Sequence, residues 1–167
     1  VGDELTPEYG GGACQTATTL YNTIMLADLN IKSRVNHALY FSIYPLGRDA
    51  AVYPPYPDLK FENNYAYPIV IKGYATNRQL SFWLYGEHTG KTVSFSSPQM
   101  IFLKNKKKAA EDQAKVKKDR TIQRPFRSQV IRYVKQNCKV IKEEAIWSLY
   151  LANGDRDKIR IRRPEPR

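Results

Sequence analysis

Cysteine and histidine are scarce in this chain: Cys14, Cys138, His37 and His88 are the only ones among 167 residues. Four such residues at no metal-ligand spacing exclude a zinc finger or a His-Glu-x-x-His centre, and two cysteines cannot build a disulfide framework. No metal and no cofactor is expected. Long apolar runs are absent too, so no transmembrane helix of about 18 or more residues is encoded. No serine is followed three residues later by lysine, and no Gly-x-Ser-x-Gly elbow occurs, which excludes two common serine nucleophiles. Gly86-Glu87-His88-Thr89-Gly90-Lys91-Thr92 imitates a phosphate-binding loop but is one residue short. It runs on into Val93-Ser94-Phe95 instead of opening a helix, and it reads as a polar hairpin turn. The chain begins at Val1 with no signal-peptide pattern, as expected of a processed or trimmed product.

Apolar content and charge are what the chain does have. It is 42% hydrophobic and 12% aromatic, enough for one packed domain with an appendage. The net charge is +11, and it is unevenly placed. Residues 1–103 carry seven Lys/Arg and eight Asp/Glu, whereas residues 104–167 carry twenty and eight. A basic half calls for an anionic partner or a solvated extension. Anionic envelope polymers docking on 104–167 are one expectation. Nucleic acid ranks last, because no RNA- or DNA-binding motif accompanies the charge.

The spacing of Ala17, Leu20, Ile24 and Ala27 predicts a helix after the Tyr9-Gly10-Gly11-Gly12 cluster, ending near Asp28 or Asn30. Short Val-, Ile-, Tyr- and Phe-rich runs then predict strands at 31–35, 39–44, 50–53, 59–62, 69–74, 80–85 and 92–96. Residues 104–124 read as a basic helical linker with few apolar side chains. Residues 125–167 read as a basic β-hairpin extension, turning at Gln136-Asn137-Cys138, with an edge strand at 158–162. The expected class is α+β: one N-terminal helix carrying the cysteine, packed on a mainly antiparallel sheet, within a domain spanning 1–103.

Gly10-Gly11-Gly12-Ala13-Cys14-Gln15 leads straight into that helix. A cysteine in a first turn faces unpaired N–H groups at the positive end of the helix, which favours thiolate and can hold an oxyanion. Gln15 offers a further side-chain donor. A cysteine nucleophile needs a base, and His37 fits better than His88, with Asp49 or Asp58 to orient it and Arg48 to clamp a carboxylate. On these residues alone, a small buried hydrophobic Cys14 stands as the other reading.

The glycine–cysteine stretch followed by Thr18-Thr19-Leu20-Tyr21-Asn22 resembles the signature of the VanW family. Arg34 with His37, Tyr44-Pro45-Leu46-Gly47-Arg48-Asp49-Ala50, Asp58-Leu59-Lys60-Phe61-Glu62-Asn63-Asn64 and Pro68-Ile69-Val70-Ile71 continue the resemblance over residues 9–85. The family takes its name from an accessory protein of glycopeptide-resistance clusters, and some members are implicated as L,D-transpeptidases of peptidoglycan. The resemblance therefore implies an extracytoplasmic protein of the bacterial envelope in which Cys14 attacks a peptidoglycan stem peptide. His37 would serve as base and acid, with Asp49 or Asp58 behind it, and Gly11, Gly12, Gln15 and Arg48 would contact substrate. A cysteine-dependent carboxypeptidase or amidase, and a non-catalytic wall-binding accessory, are the alternatives. Cys138 is expected either as an exposed thiol or as a disulfide partner that would block Cys14.

Overall fold

The computed structural model describes residues 12–103 and 125–151. Helix α1 (Ala13–Leu26) comes first. Eight strands follow: β1 (Asn30–Ser33), β2 (Lys60–Glu62), β3 (Val70–Ala75), β4 (Leu80–Tyr85), β5 (Lys91–Phe95), β6 (Gln99–Phe102), β7 (Phe126–Gln136) and β8 (Lys139–Tyr150). Every strand pairing is antiparallel, which makes the fold α+β. The expected linker at 104–124 and the expected edge strand at 158–162 lie outside the described residues.

The helix buries Ala17, Thr18, Tyr21, Ile24 and Met25. That stripe keeps the three-and-four spacing but is rotated from the expected one, because Leu20 and Ala27 are only half-buried. Thr18 takes an inward position by hydrogen bonding: its Oγ1 donates to the Ala50 carbonyl at 3.2 Å and accepts from the Ala50 N–H at 3.0 Å. A polar residue so satisfied can occupy the core. Helix termination falls at Asp28, which adopts a left-handed φ of 54°. Its carboxylate meets Lys91 Nζ at 2.8 Å, Lys142 Nζ at 3.5 Å and Arg132 at 3.8 Å.

β7 is the spine of the largest sheet. One of its edges pairs with β6 and then β5, and the other pairs along its length with β8. Its period-2 alternation sends Phe126, Ser128, Val130, Arg132 and Val134 inward. Burial of Val130 and Val134 contributes about 1.5–3 kcal/mol each. Arg132 is 2% exposed, donates to the Met25 carbonyl near the end of α1 and pairs with Glu144. The hairpin expected as an extension is therefore part of the core.

The turn joining β7 and β8 is Asn137-Cys138, flanked by the Gln136–Lys139 pair, with φ of 49° and 64°. Two positive φ values mark a twisted two-residue turn, one residue tighter than the Gln136-Asn137-Cys138 turn expected from the sequence, since Gln136 pairs with Lys139. Cys138 thus sits where glycine is sterically favoured. The Gly86–Gly90 segment is not a hairpin turn, because β4 pairs with β3 while β5 pairs with β7. It is a crossing between two sheets, and Gly90 takes a φ of 67° there. The runs at 39–44 and 50–53 are loops, and β6 is a strand that apolar patterning did not mark. Backbone groups of the two loops are satisfied by caps and turns instead of by a ladder. The Ala51 N–H reaches Val35 O, and the Tyr53 N–H reaches Pro57 O.

Candidate functional site

Cys14 stands second in α1, after the Gly12 N-cap. The first helical bond runs from the Thr16 N–H to Gly12 O at 2.9 Å, so the N–H groups of Ala13, Cys14 and Gln15 precede the ladder. No side chain caps this end and no acidic residue occupies the first turn. Above Gly12 a Cβ would meet nothing within 4 Å. Among the described residues, no side chain competes with an anion or oxyanion for these N–H groups. Cys14 is half-buried, and its thiol donates to the Val52 carbonyl at 3.5 Å.

His37 and Asp49 come together. His37 Nδ1 lies 2.7 Å from Asp49 Oδ2, and the His37 backbone N–H donates to the same oxygen at 2.7 Å. Burial alone would raise the Asp49 pKa, but hydrogen bonds from the His37 ring, Tyr150 and the His37 backbone, with the Arg34 charge, hold it below the usual carboxylate range. Asp49 is therefore an ionised acceptor, and the proton in its contact with the ring belongs to Nδ1. That leaves the Nε2 lone pair as the basic position of His37.

Asp49 is itself held on all sides. Tyr150 Oη donates to its Oδ1 at 2.6 Å and accepts from the Gly47 N–H at 3.0 Å. Burial first, then the charge and hydrogen bond of Asp49, push the Tyr150 pKa far above its ordinary value, so it stays a donor. Arg34 contributes an ion pair at 3.1 Å through Nη2, and its Nε donates to the Asp49 carbonyl at 2.6 Å. Nη1 of the same guanidinium reaches Ser148 Oγ at 2.9 Å and the Trp147 carbonyl at 3.2 Å. One side chain thus ties the site to β8.

Tyr44 packs on the histidine, while the only hydrogen bond of the Cys14 thiol among the described residues is the one to Val52. The Tyr44 ring stacks on the His37 imidazole at 5.0 Å with planes 19° apart. Burial first, then electrostatic interaction with Cys14 and Asp49, raises its pKa.

The other expected residues fall elsewhere. Asp58 is exposed, its carbonyl accepts from Ser33 Oγ, and of the two carboxylates it is Asp49 that meets His37. Arg48 lays its guanidinium over the Phe95 ring at 4.3 Å, and burial lowers its pKa. Among the described residues it forms no ion pair. Gln15 is exposed, and its backbone carbonyl accepts from Thr19 Oγ1. Gly11 lies outside the described residues. His88 is exposed on the crossing between sheets. Cys14 and Cys138 are both free thiols. Tyr150 is the twelfth residue of β8 counted from the turn, on the order of 40 Å of ladder from Cys138, which puts the turn far from the Asp49 end. Tyr150 and Tyr44 carried no assignment from the sequence. The signal for Tyr150 was its inward phase on β8, opposite Phe126.

Comparison with known proteins bears on the same segment. The model of the family described as VanW like protein matches residues 1–85. A Bacillus subtilis (strain 168) protein described as uncharacterized protein YoaR is 42% identical over 69 residues, which are 41% of this chain. The match spans 23% of that protein, less than a quarter of its length. No solved structure matches.

Proposed function

The chain belongs to the VanW family, and from that premise we propose that it is a cysteine acyl transferase of the bacterial envelope, working on peptidoglycan stem peptides. The observation that carries the proposal is the 2.7 Å contact between His37 Nδ1 and Asp49 Oδ2, in a domain whose helix opens on Cys14. An imidazole oriented by a buried carboxylate is what a sulfur nucleophile needs for its proton.

In the first half-reaction His37 Nε2 takes the Cys14 proton, and the sulfur adds to the carbonyl carbon of the third stem residue. The N–H groups ahead of the α1 ladder stabilise the resulting oxyanion. The C–N bond to the terminal D-alanine then breaks, and His37 returns its proton to the leaving amine. In the second half a side-chain amine of a neighbouring stem attacks the thioester and passes its proton to His37. The C–S bond breaks, leaving a cross-link between two third residues. Asp49 stays ionised throughout and stabilises the imidazolium.

Two further readings are tested by the same experiment. Water in place of the amine gives a carboxypeptidase. The Cys14–Val52 hydrogen bond favours a structural thiol in a wall-binding accessory protein. The protein is incubated with tetrapeptide muropeptides and the products are resolved by mass spectrometry. Cross-linked dimers from the wild type and none from Cys14→Ala are expected. Tripeptide monomers alone would convert the assignment to hydrolysis. Identical products from both proteins would sink the nucleophile.

A further inference from the structure

We infer that Tyr44 positions the His37 imidazole for proton exchange with Cys14, with Phe41 completing the clamp. This rests on the cysteine-nucleophile reading above and adds to it a residue on which the base depends. A single hydrogen bond at Nδ1 fixes one atom of the ring and leaves the rest free to swing, carrying Nε2 away from the sulfur. Two aromatic neighbours remove that freedom. Tyr44 covers one face of the imidazole at 5.0 Å, near parallel, and Phe41 meets it edge-on at 5.3 Å and 85°. The two clamp residues also meet each other at 6.3 Å, close to perpendicular.

The clamp is built into the backbone. The Tyr44 N–H donates to Phe41 O at 3.1 Å, and the Arg48 N–H donates to Pro45 O at 3.0 Å, so two successive turns carry both rings. The segment is then seated on β7 at Gly47, where a Cβ would come within 2.8 Å of Ser128 Oγ. Phe41 is 44% exposed although it packs on the histidine. Its placement is explained by the imidazole, since so exposed a ring contributes little to the core.

The test joins nuclear magnetic resonance of the His37 ring nitrogens with the pH profile of Cys14 alkylation by iodoacetamide, on the full chain carrying Cys138→Ser so that one thiol reports. Tyr44→Phe keeps the ring and is expected to keep the Nδ1–H tautomer. Tyr44→Leu is expected to give mixed tautomers and to slow Cys14 alkylation at neutral pH by about tenfold. Phe41→Leu, at an exposed position, is expected to shift both readouts in the same direction by less, and it serves if Tyr44→Leu does not fold. Wild-type tautomer and profile in a folded Tyr44→Leu, or in Phe41→Leu where that is the variant available, would overturn the inference. If the ring nitrogens respond as expected while Cys14→Ala leaves muropeptide products unchanged, the positioning stands and the transferase reading fails.

Discussion

The segment from Cys14 to Asp49 and the β7–β8 hairpin divide the work of this molecule unequally. The first holds the groups that can react: Cys14, His37 and Asp49. The second holds no nucleophile at the site, yet Tyr150 and Ser148 fasten Asp49 and Arg34 in place. Only the first lies within the family-matched residues. Reactive groups in one region thus depend on buried hydrogen bonds supplied by another, about 100 residues further along the chain. The hairpin is a structural half of the site, whatever its net charge.

The comparison breaks most sharply at Asp49, where both regions converge. Asp49→Asn keeps the shape but leaves Arg34 buried without its counter-charge, which should cost about 3–5 kcal/mol in urea unfolding. The same carboxylate predicts a pH effect. Its folded pKa lies below the unfolded value, so its contribution is present above the ordinary carboxylate range and is lost as pH falls through the depressed value. An acid unfolding midpoint that does not move in Asp49→Asn would contradict this.

Gly47→Ala strikes the seam itself. A φ of 76° and a Cβ 2.8 Å from Ser128 Oγ and 2.9 Å from Val130 Cγ2 should cost about 2–3 kcal/mol. Thermal denaturation would show it, and an unchanged midpoint would mean that loop and hairpin are not tightly seated. Tyr150→Phe sharpens the point on the hairpin side. It removes the donor to Asp49 and orphans the Gly47 N–H, for a loss of about 1–3 kcal/mol. A detachable hairpin would show no loss. The smallest effect is expected at the far turn. Cys138→Gly relieves a left-handed residue and should stabilise by less than about 1 kcal/mol, because glycine's added unfolded-state entropy offsets part of the gain. A lower chemical midpoint for that variant would contradict this.

Much of the organisation was legible from local chemistry. The helix after the glycines, the strands near 31–33, 60–62, 70–75, 80–85 and 91–95, and the hairpin turn all follow from periodicity and turn residues. The failures share a cause. Apolar side chains at 39–44 and 50–53 suit strands, yet these segments are held by turns and loop hydrogen bonds, and among the described residues no ladder partner lies beside them. Asp49 and Asp58 were equivalent as carboxylates in sequence, and only folding brought the first to His37. Arg48 was the expected clamp because of its charge. That clamp was expected for a substrate carboxylate; in the fold the Arg48 guanidinium lies on Phe95, and Arg34 is the residue that holds Asp49.

The charge asymmetry divides along the same line. Of the twenty basic residues in 104–167, five lie in 125–151 with two acidic ones, so the strands themselves are only modestly basic. Among these, Arg132 is consumed in the core by Glu144 and Asp28.

Sequence by itself determined the scarcity of metal-ligand patterns, the helix behind the glycines with Cys14 in its first turn, the β-rich remainder and the hairpin turn at Gln136-Asn137-Cys138. Those properties depend on neighbours a few residues apart, and short-range sterics and periodicity encode them directly. The partner of His37, the burial of Tyr150 and the membership of the hairpin in the core were decided only by the tertiary structure. Each depends on groups between 12 and about 100 residues apart. No local pattern records which of several equivalent carboxylates or tyrosines the folded chain will bring together, because that choice is made by the packing of β7 and β8 on α1.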